Sequence, residues 1–307
     1  MVQRAVAREA VHALRREIAR IEGRLPERFA AGPSADGKSG DEVFVRRSGL
    51  AEGGLLATGA RRLDEALGGG LSYAALTEIH GRETRDAGAV AGFALGLVSL
   101  ALRRKPGPLL WVAAGDMFDE AGKPYAPGMA SRFGIPPQAL LTATARRLED
   151  AFWVAEEAAA QASLGAVVLE VRGAPRKLDL TATQRLHHRA AGAARPVFLL
   201  REAGHPEPTA APVRLVVSPA PAGRRRTVSG PLTGSIGPPA FTVLISRSRT
   251  AIARTVTLEW NRNECLFHER PRIAAGRQDH GAMVSSPGNR SHPAGQAGAV
   301  LAFGDVA

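Results

Sequence analysis

The chain has 307 residues, 45% of them hydrophobic and 22% charged, proportions that allow one substantial buried core and exclude a disordered or collagen-like chain. A formal net charge of +11 points toward a polyanionic partner, yet only four of the 40 basic residues are lysine. Arginine in place of lysine is also what a GC-rich coding sequence produces, so distribution counts for more than the total. The single cysteine, Cys265, excludes an intramolecular disulfide and fits a reducing cytoplasm; with no apolar signal region at the charged N-terminus, a cytoplasmic location is expected.

Residues 1–25 form the first predicted element, an amphipathic helix. Val11, Leu14, Ile18, Ile21 and Leu25 recur every three or four positions, and Arg15, Arg16, Glu17, Arg20 and Glu22 fill the other faces. A seam of about two heptads is too short for a self-sufficient coiled coil, so this helix is expected to dock on a partner, on a second copy or on its own domain. Residues 26–40 are rich in Gly, Ser, Ala and Pro, and 26–48 read as a flexible linker.

From 49 to 269 apolar strands alternate with helical segments, which predicts an α/β domain with a mostly parallel sheet flanked by helices, followed by a C-terminal strand extension. Expected strands are 75–79, 108–113, 166–171 and 196–200; expected helices are 61–67, 86–103, 147–163 and 181–193. Within the second helix, residues 87–102 are uncharged and carry Gly88, Gly92 and Gly96 at every fourth position. The run falls short of the roughly 18 to 20 residues that span a bilayer, and a buried helix packed on a sheet is expected, with no membrane partner.

Between the first expected strand and that helix lies Gly81-Arg82-Glu83-Thr84-Arg85-Asp86-Ala87-Gly88, a loop with the position and length of a phosphate-binding loop. A working loop reads G-x-x-x-x-G-K-[ST]: its glycines let backbone N–H groups converge on phosphate, its lysine reaches the β and γ oxygens, and its hydroxyl ligates Mg²⁺. Here those last three positions are Asp86, Ala87 and Gly88. Asp86 is expected to cap the helix and repel a triphosphate, so that the anion site is occupied from within.

Seven arginines, Arg214, Arg224, Arg225, Arg226, Arg247, Arg249 and Arg254, fall between 208 and 258 with no acidic residue among them. Strands are expected at 213–217, 241–245 and 256–260, with the triplet Arg224–Arg226 on the Gly/Pro/Ser-rich loop between the first two. Arg224, Arg225, Arg226, Arg247 and Arg249 are the candidate contacts to DNA phosphate; a solvated loop explains the same residues equally well. Any such binding is expected to be weak and sequence-independent, because few aromatics accompany the run. Residues 270–307 read as a disordered tail. His187 and His188 point about 100° apart on a helix and make poor co-ligands for one metal. Glu156 and Glu157 read as a charged surface facing Arg146 and Arg147.

The order of these elements resembles the core of RecA-family recombinases. Thr58, Gly59, Leu63, Asp64, Leu67, Gly68, Glu78, Ile79, Gly81 and Glu83 match the entry into that core. On the same register Gly115, beside Asp116, stands where the family has a water-orienting glutamate. Glu170 takes the position of the Walker B acid, and Arg201 and Glu202 replace the polar pair that senses the γ-phosphate. The Arg-rich first helix, the Trp111 and Trp153 segments and the ending Leu258-Glu259-Trp260 further resemble the inducible mutagenesis protein A family (ImuA), also labelled RecA-like or SulA-like.

That resemblance implies a non-enzymatic accessory protein, induced by DNA damage, in mutagenic translesion synthesis. It would recruit or bridge an inactive Y-family polymerase homologue and an error-prone DnaE-type polymerase, with RecA as a further partner. No cofactor or metal is expected, ATP binding being disfavoured by the loop. Two other functions remain open at this point: a DNA-dependent ATPase that has moved its phosphate contacts to Arg82 or Arg85, and a SulA-like inhibitor of cell division.

Overall fold

The apolar runs 76–81, 109–114, 166–172 and 197–202 form strands because each is buried on both faces, where branched and aromatic side chains pack best. A computed structural model describes residues 54–270 except 121, 174, 176–177, 205–206 and 249–253. The expected N-terminal helix with its seam Val11, Leu14, Ile18, Ile21 and Leu25, the linker, Arg249 and the tail beyond residue 270 lie outside the described residues.

In chain order the described elements begin with β1 (Leu55–Leu56), α1 (Arg61–Ala66), β2 (Leu71–Ser72), β3 (Leu76–Gly81), α2 (Ala87–Arg104), β4 (Leu109–Ala114) and α3 (Met117–Glu120). Next come α4 (Ala126–Phe133), β5 (Leu140–Ala145), α5 (Leu148–Ala160), β6 (Ala166–Arg172), α6 (Leu180–Gly192) and β7 (Val197–Glu202). The chain continues through β8 (Val213–Ala220), β9 (Arg226–Thr227), β10 (Gly230–Pro231), β11 (Ala240–Arg247), β12 (Thr255–Asn261) and β13 (Leu266–Glu269). One nine-stranded sheet runs in the order β13-β12-β11-β8-β3-β7-β6-β4-β5. Its six strands from β8 to β5 are parallel, and β11, β12 and β13 add antiparallel. The fold is thus an α/β architecture with a mostly parallel central sheet between helices.

Alternation along each strand sends side chains to two separate cores. On one face α2 buries Val90, Phe93 and Leu97 against Phe198, Leu200, Leu215, Phe241, Trp260 and Phe267. On the other, α5 and α6 bury Phe152, Ala155 and Leu186 against Leu76, Val112, Val167, Leu169 and Leu199. The expected apolar helix is α2, which meets the length and hydropathy of a membrane span with 61% of its window buried in the fold. Gly96 shows why small residues stand on it: a Cβ there would lie 2.4 Å from Cζ of Phe267.

The structure corrects one surface pairing. Glu156 and Glu157 face α6, where Arg185 Nε lies 3.1 Å from Glu156 and Arg189 lies 3.8 Å from Glu157. They tie the two helices of that face together instead of meeting Arg146 and Arg147. Arg147 is 3.9 Å from Glu149.

At the entry to the domain Thr58 and Asp64 close a small knot. The Asp64 carboxylate accepts the Thr58 N–H at 2.9 Å, the Thr58 hydroxyl at 2.8 Å and the Gly59 N–H at 3.1 Å. The glycine run that follows is needed for close approach: Gly70 has φ +131°, and a Cβ on it would lie 2.4 Å from the Leu56 carbonyl oxygen. The Thr-Gly and Leu-Asp signature is therefore a fastening that delivers the chain into β3.

Candidate functional site

In an open α/β sheet, ligands bind outside the carboxyl ends of the parallel strands. The 81–88 loop lies there, at the end of central β3. A one-turn 3-10 helix, Thr84–Asp86, leads directly into α2. Asp86 is 6% exposed, and its carboxylate accepts the Glu83 N–H at 3.1 Å, while the Glu83 side chain reaches the Asp86 amide in return. Asp86 thus caps the 3-10 turn and makes no side-chain cap to α2. A Cβ at Gly81 would stand 3.0 Å from both Asp86 Cβ and a Val90 methyl, so the inside of the loop is filled. Arg85 turns back onto Glu83 at 2.7 Å, and Arg82, Glu83 and Thr84 are exposed. A carboxylate takes up the loop amide that an anion would need, and Ala87 and Gly88 offer neither cation nor hydroxyl. These residues as arranged do not fit a nucleoside triphosphate with its Mg²⁺.

Next to the loop, two acids from neighbouring strands meet. Glu170 on β6 and Glu202 on β7 lie on the α2 face and are 6% and 1% exposed. Indole Nε1 of Trp111 donates to Glu170 at 2.8 Å. Burial, then the hydrogen bond and the charge of Glu170, push the Glu202 carboxyl up to about 8, with Arg172 opposing. Glu202 is thus protonated at neutral pH and donates to Glu170, because two buried carboxylates in contact cannot both ionise. Glu170 is held by an indole and a carboxylic acid. Sequence reading singled out Glu170 and Glu202 separately but missed that they meet; strand register supplies the contact, since Arg172 pairs with Glu202 and Glu170 with Leu200.

On the opposite face, β3, β7 and β8 bring together a second charged cluster. Glu78, fully buried, accepts His80 Nε2 at 2.7 Å and Arg201 at 3.3 Å on one oxygen. Its other oxygen accepts the Thr209 hydroxyl at 2.7 Å and Arg214 Nε at 2.8 Å. Arg201 also reaches Glu207 at 3.2 Å, and Arg214 donates to the Glu207 carbonyl. Burial opposes ionisation of Glu78, but the His80 hydrogen bond, the charges of His80 and Arg214 and the Thr209 hydroxyl outweigh it and bring the carboxyl down to about 2. The cluster fastens the segment after β7 to the middle of the sheet. The signal in the sequence was a polar residue inside each of three apolar strands.

Gly115 follows β4 with φ +73° and has open space where a side chain would project. Asp116 beside it is exposed and lines a shallow depression with Asp119 and Arg146.

Among the described residues, the candidate phosphate-binding arginines do not share one surface. Arg224, Arg225 and Arg226 sit between β8 and β11, beyond the carboxyl ends of the parallel strands. Arg247 closes the eight-residue β11 at its other end, about 25 Å away at about 3.3 Å per residue, and donates to the Thr209 carbonyl at 2.7 Å. Arg214 is bound to Glu78, and Arg254 reaches the Arg62 carbonyl at 3.5 Å.

No family model matches the chain, and no curated protein matches it either. Among solved structures, it is similar in fold to the crystal structure of the RadB recombinase, at 15% identity and a TM-score of 0.47, with 71% of this chain and 100% of that chain covered.

Proposed function

We propose that this protein is a RecA-like scaffold without ATPase activity. It acts in damage-induced mutagenic translesion synthesis by holding an inactive Y-family polymerase homologue beside an error-prone DnaE-type polymerase. The family and partners come from the resemblance to ImuA. The observation that supports the silent site is the Asp86 carboxylate, folded into its own loop onto the Glu83 amide at 3.1 Å. An ATPase built on Arg85 has less support, because that side chain is paired with Glu83 at 2.7 Å. Loss of both the Mg²⁺ hydroxyl and the water-orienting acid would also remove several kcal/mol of transition-state stabilisation.

The test is a titration of the full chain with a fluorescent ATP analogue, beside a phosphate-release assay with and without single-stranded DNA. Neither binding nor release is expected of the natural sequence. The triple change Asp86→Gly, Ala87→Lys, Gly88→Thr, which restores the loop pattern, is expected to bind the analogue without turning it over, Gly115 still lacking a carboxylate. DNA-stimulated release by the natural chain would overturn the reading. Capture of the Y-family homologue by the full chain, and its loss on deleting residues 1–25, tests the scaffold role; a division protein captured in its place would favour the SulA-like reading.

A further inference from the structure

Residues 221–239 leave the sheet between β8 and β11. We propose that this hairpin is a prong that grips the sugar–phosphate backbone of nucleic acid and presents an apolar tip to it. β8 last pairs with β3 at Val216, and its remaining four residues, Val217 to Ala220, continue beyond that pairing beside β11. The hairpin therefore starts about 13 Å past the last β3 pairing, at about 3.3 Å per residue.

It is built, not slack. Gly237 N–H donates to the Gly223 carbonyl at 2.7 Å, and Leu232 N–H to the Arg225 carbonyl at 2.8 Å. Arg225 Nε donates to the Ile236 carbonyl at 3.2 Å, and the Arg225 amide to the Ser235 hydroxyl at 2.9 Å. Below the hairpin Arg270 pairs with Glu259 at 2.7 Å and donates to the Pro221 carbonyl. A segment fastened in this way loses little conformational entropy when it binds.

Its exposed side chains serve no core. Val228 at the tip is 108% exposed, Ile236 68% and Leu232 50%, three of the seven large hydrophobics exposed among the described residues. Arg224 and Arg225 are exposed beside them, as are the Ser229 and Thr233 hydroxyls, and no acidic residue occurs from 208 to 258. Cations, hydroxyls and glycine amides are the donors that proteins direct at phosphate oxygens. Isolated aliphatic side chains on such an element act as wedges at a base step. The hairpin has no aromatic residue to anchor at a membrane interface, which favours nucleic acid over an anionic bilayer. The same composition argues for contact independent of sequence. This inference does not depend on the scaffold reading, since DNA binding here requires neither polymerase.

The experiment is fluorescence anisotropy of labelled mixed-sequence duplex and single strand with the full chain, across a salt series. Binding is expected to weaken linearly in log salt. Arg224→Ala is expected to reduce that slope by about one, and Arg224→Lys to restore it, since a point charge suffices for phosphate. Val228→Ser is expected to lower duplex affinity several-fold with the slope unchanged. Thermal melts of each variant confirm that the fold is kept. No binding at low salt, binding indifferent to both Arg224→Ala and Val228→Ser, or binding to phosphatidylserine vesicles in place of DNA would each overturn the proposal.

Discussion

At the scale of single residues, the site turns on what its carboxylates face. Asp86 faces inward and satisfies a loop amide; Glu202 faces Glu170, and burial beside that neighbour raises the Glu202 carboxyl. The second arrangement has a consequence for stability. Glu202 titrates near its ordinary value of 4.5 when unfolded and at about 8 when folded. Between those values the folded state holds the extra proton, so the contribution is fully present below 4.5 and is lost as pH rises through about 8. Glu78 has the opposite sign: its contribution is present above 4.5 and is lost as pH falls through about 2. Glu202→Gln keeps an N–H donor for Glu170 and cannot ionise. Thermal midpoints of the natural chain are expected to fall between pH 5 and about 8 through this group, and the variant to be flatter across that window. A variant that tracks the natural chain would show that the Glu202 carboxyl is not raised in the fold.

At the scale of elements, α2 is where sequence and packing can be weighed against each other. Gly96 and Gly88 are both helical glycines, and propensity alone makes each worse than alanine by up to about 1 kcal/mol. Space decides between them. A side chain at Gly96 would collide with Phe267 at 2.4 Å, whereas one at Gly88 meets nothing within 4 Å. Gly96→Val is expected to destabilise by about 1–3 kcal/mol or more, and Gly88→Ala to be neutral or stabilising, as read from urea midpoints. Sequence periodicity placed α2, β3, β4, β6 and β7 within two residues of either end, because buried parallel strands and their crossover helices carry continuous apolar signals. It missed β5, whose Leu-Leu-Thr-Ala-Thr-Ala run lies half-exposed at the sheet edge, and β13, four residues held by pairing with β12. It extended α5 to 163, whereas the backbone turns extended at Gln161. The filled loop was legible from Asp86 itself. The Glu78 cluster and the Glu170–Glu202 pair were not, since each joins strands far apart in sequence through a register that no local pattern encodes.

At the scale of the whole molecule, one sheet separates two cores, and its centre carries charge. Glu78 is fully buried on the α6 face against Arg201 and Arg214, while Trp260 is buried on the α2 face with Nε1 bonded to the Arg132 carbonyl at 2.8 Å. Glu78→Gln preserves shape, leaves Arg214 without a carboxylate and leaves Arg201 with Glu207 alone, a change that costs about 3–5 kcal/mol when one member of a buried pair is removed. The strands that hold Glu78 also form the floor of the other core, through Ile79, Leu200 and Leu215. If the sheet couples the two faces, the loss must reach tryptophans that Glu78 does not touch. With Trp153 of α5 changed to Phe, so that only Trp111 and Trp260 of the α2 face report, the tryptophan-fluorescence and far-UV circular dichroism midpoints of the variant are expected to move down together, by the same free energy. A fluorescence transition left in place while the dichroism moved would mean that the α2 face holds its structure without the other, and that the cluster at Glu78 secures only the segment after β7.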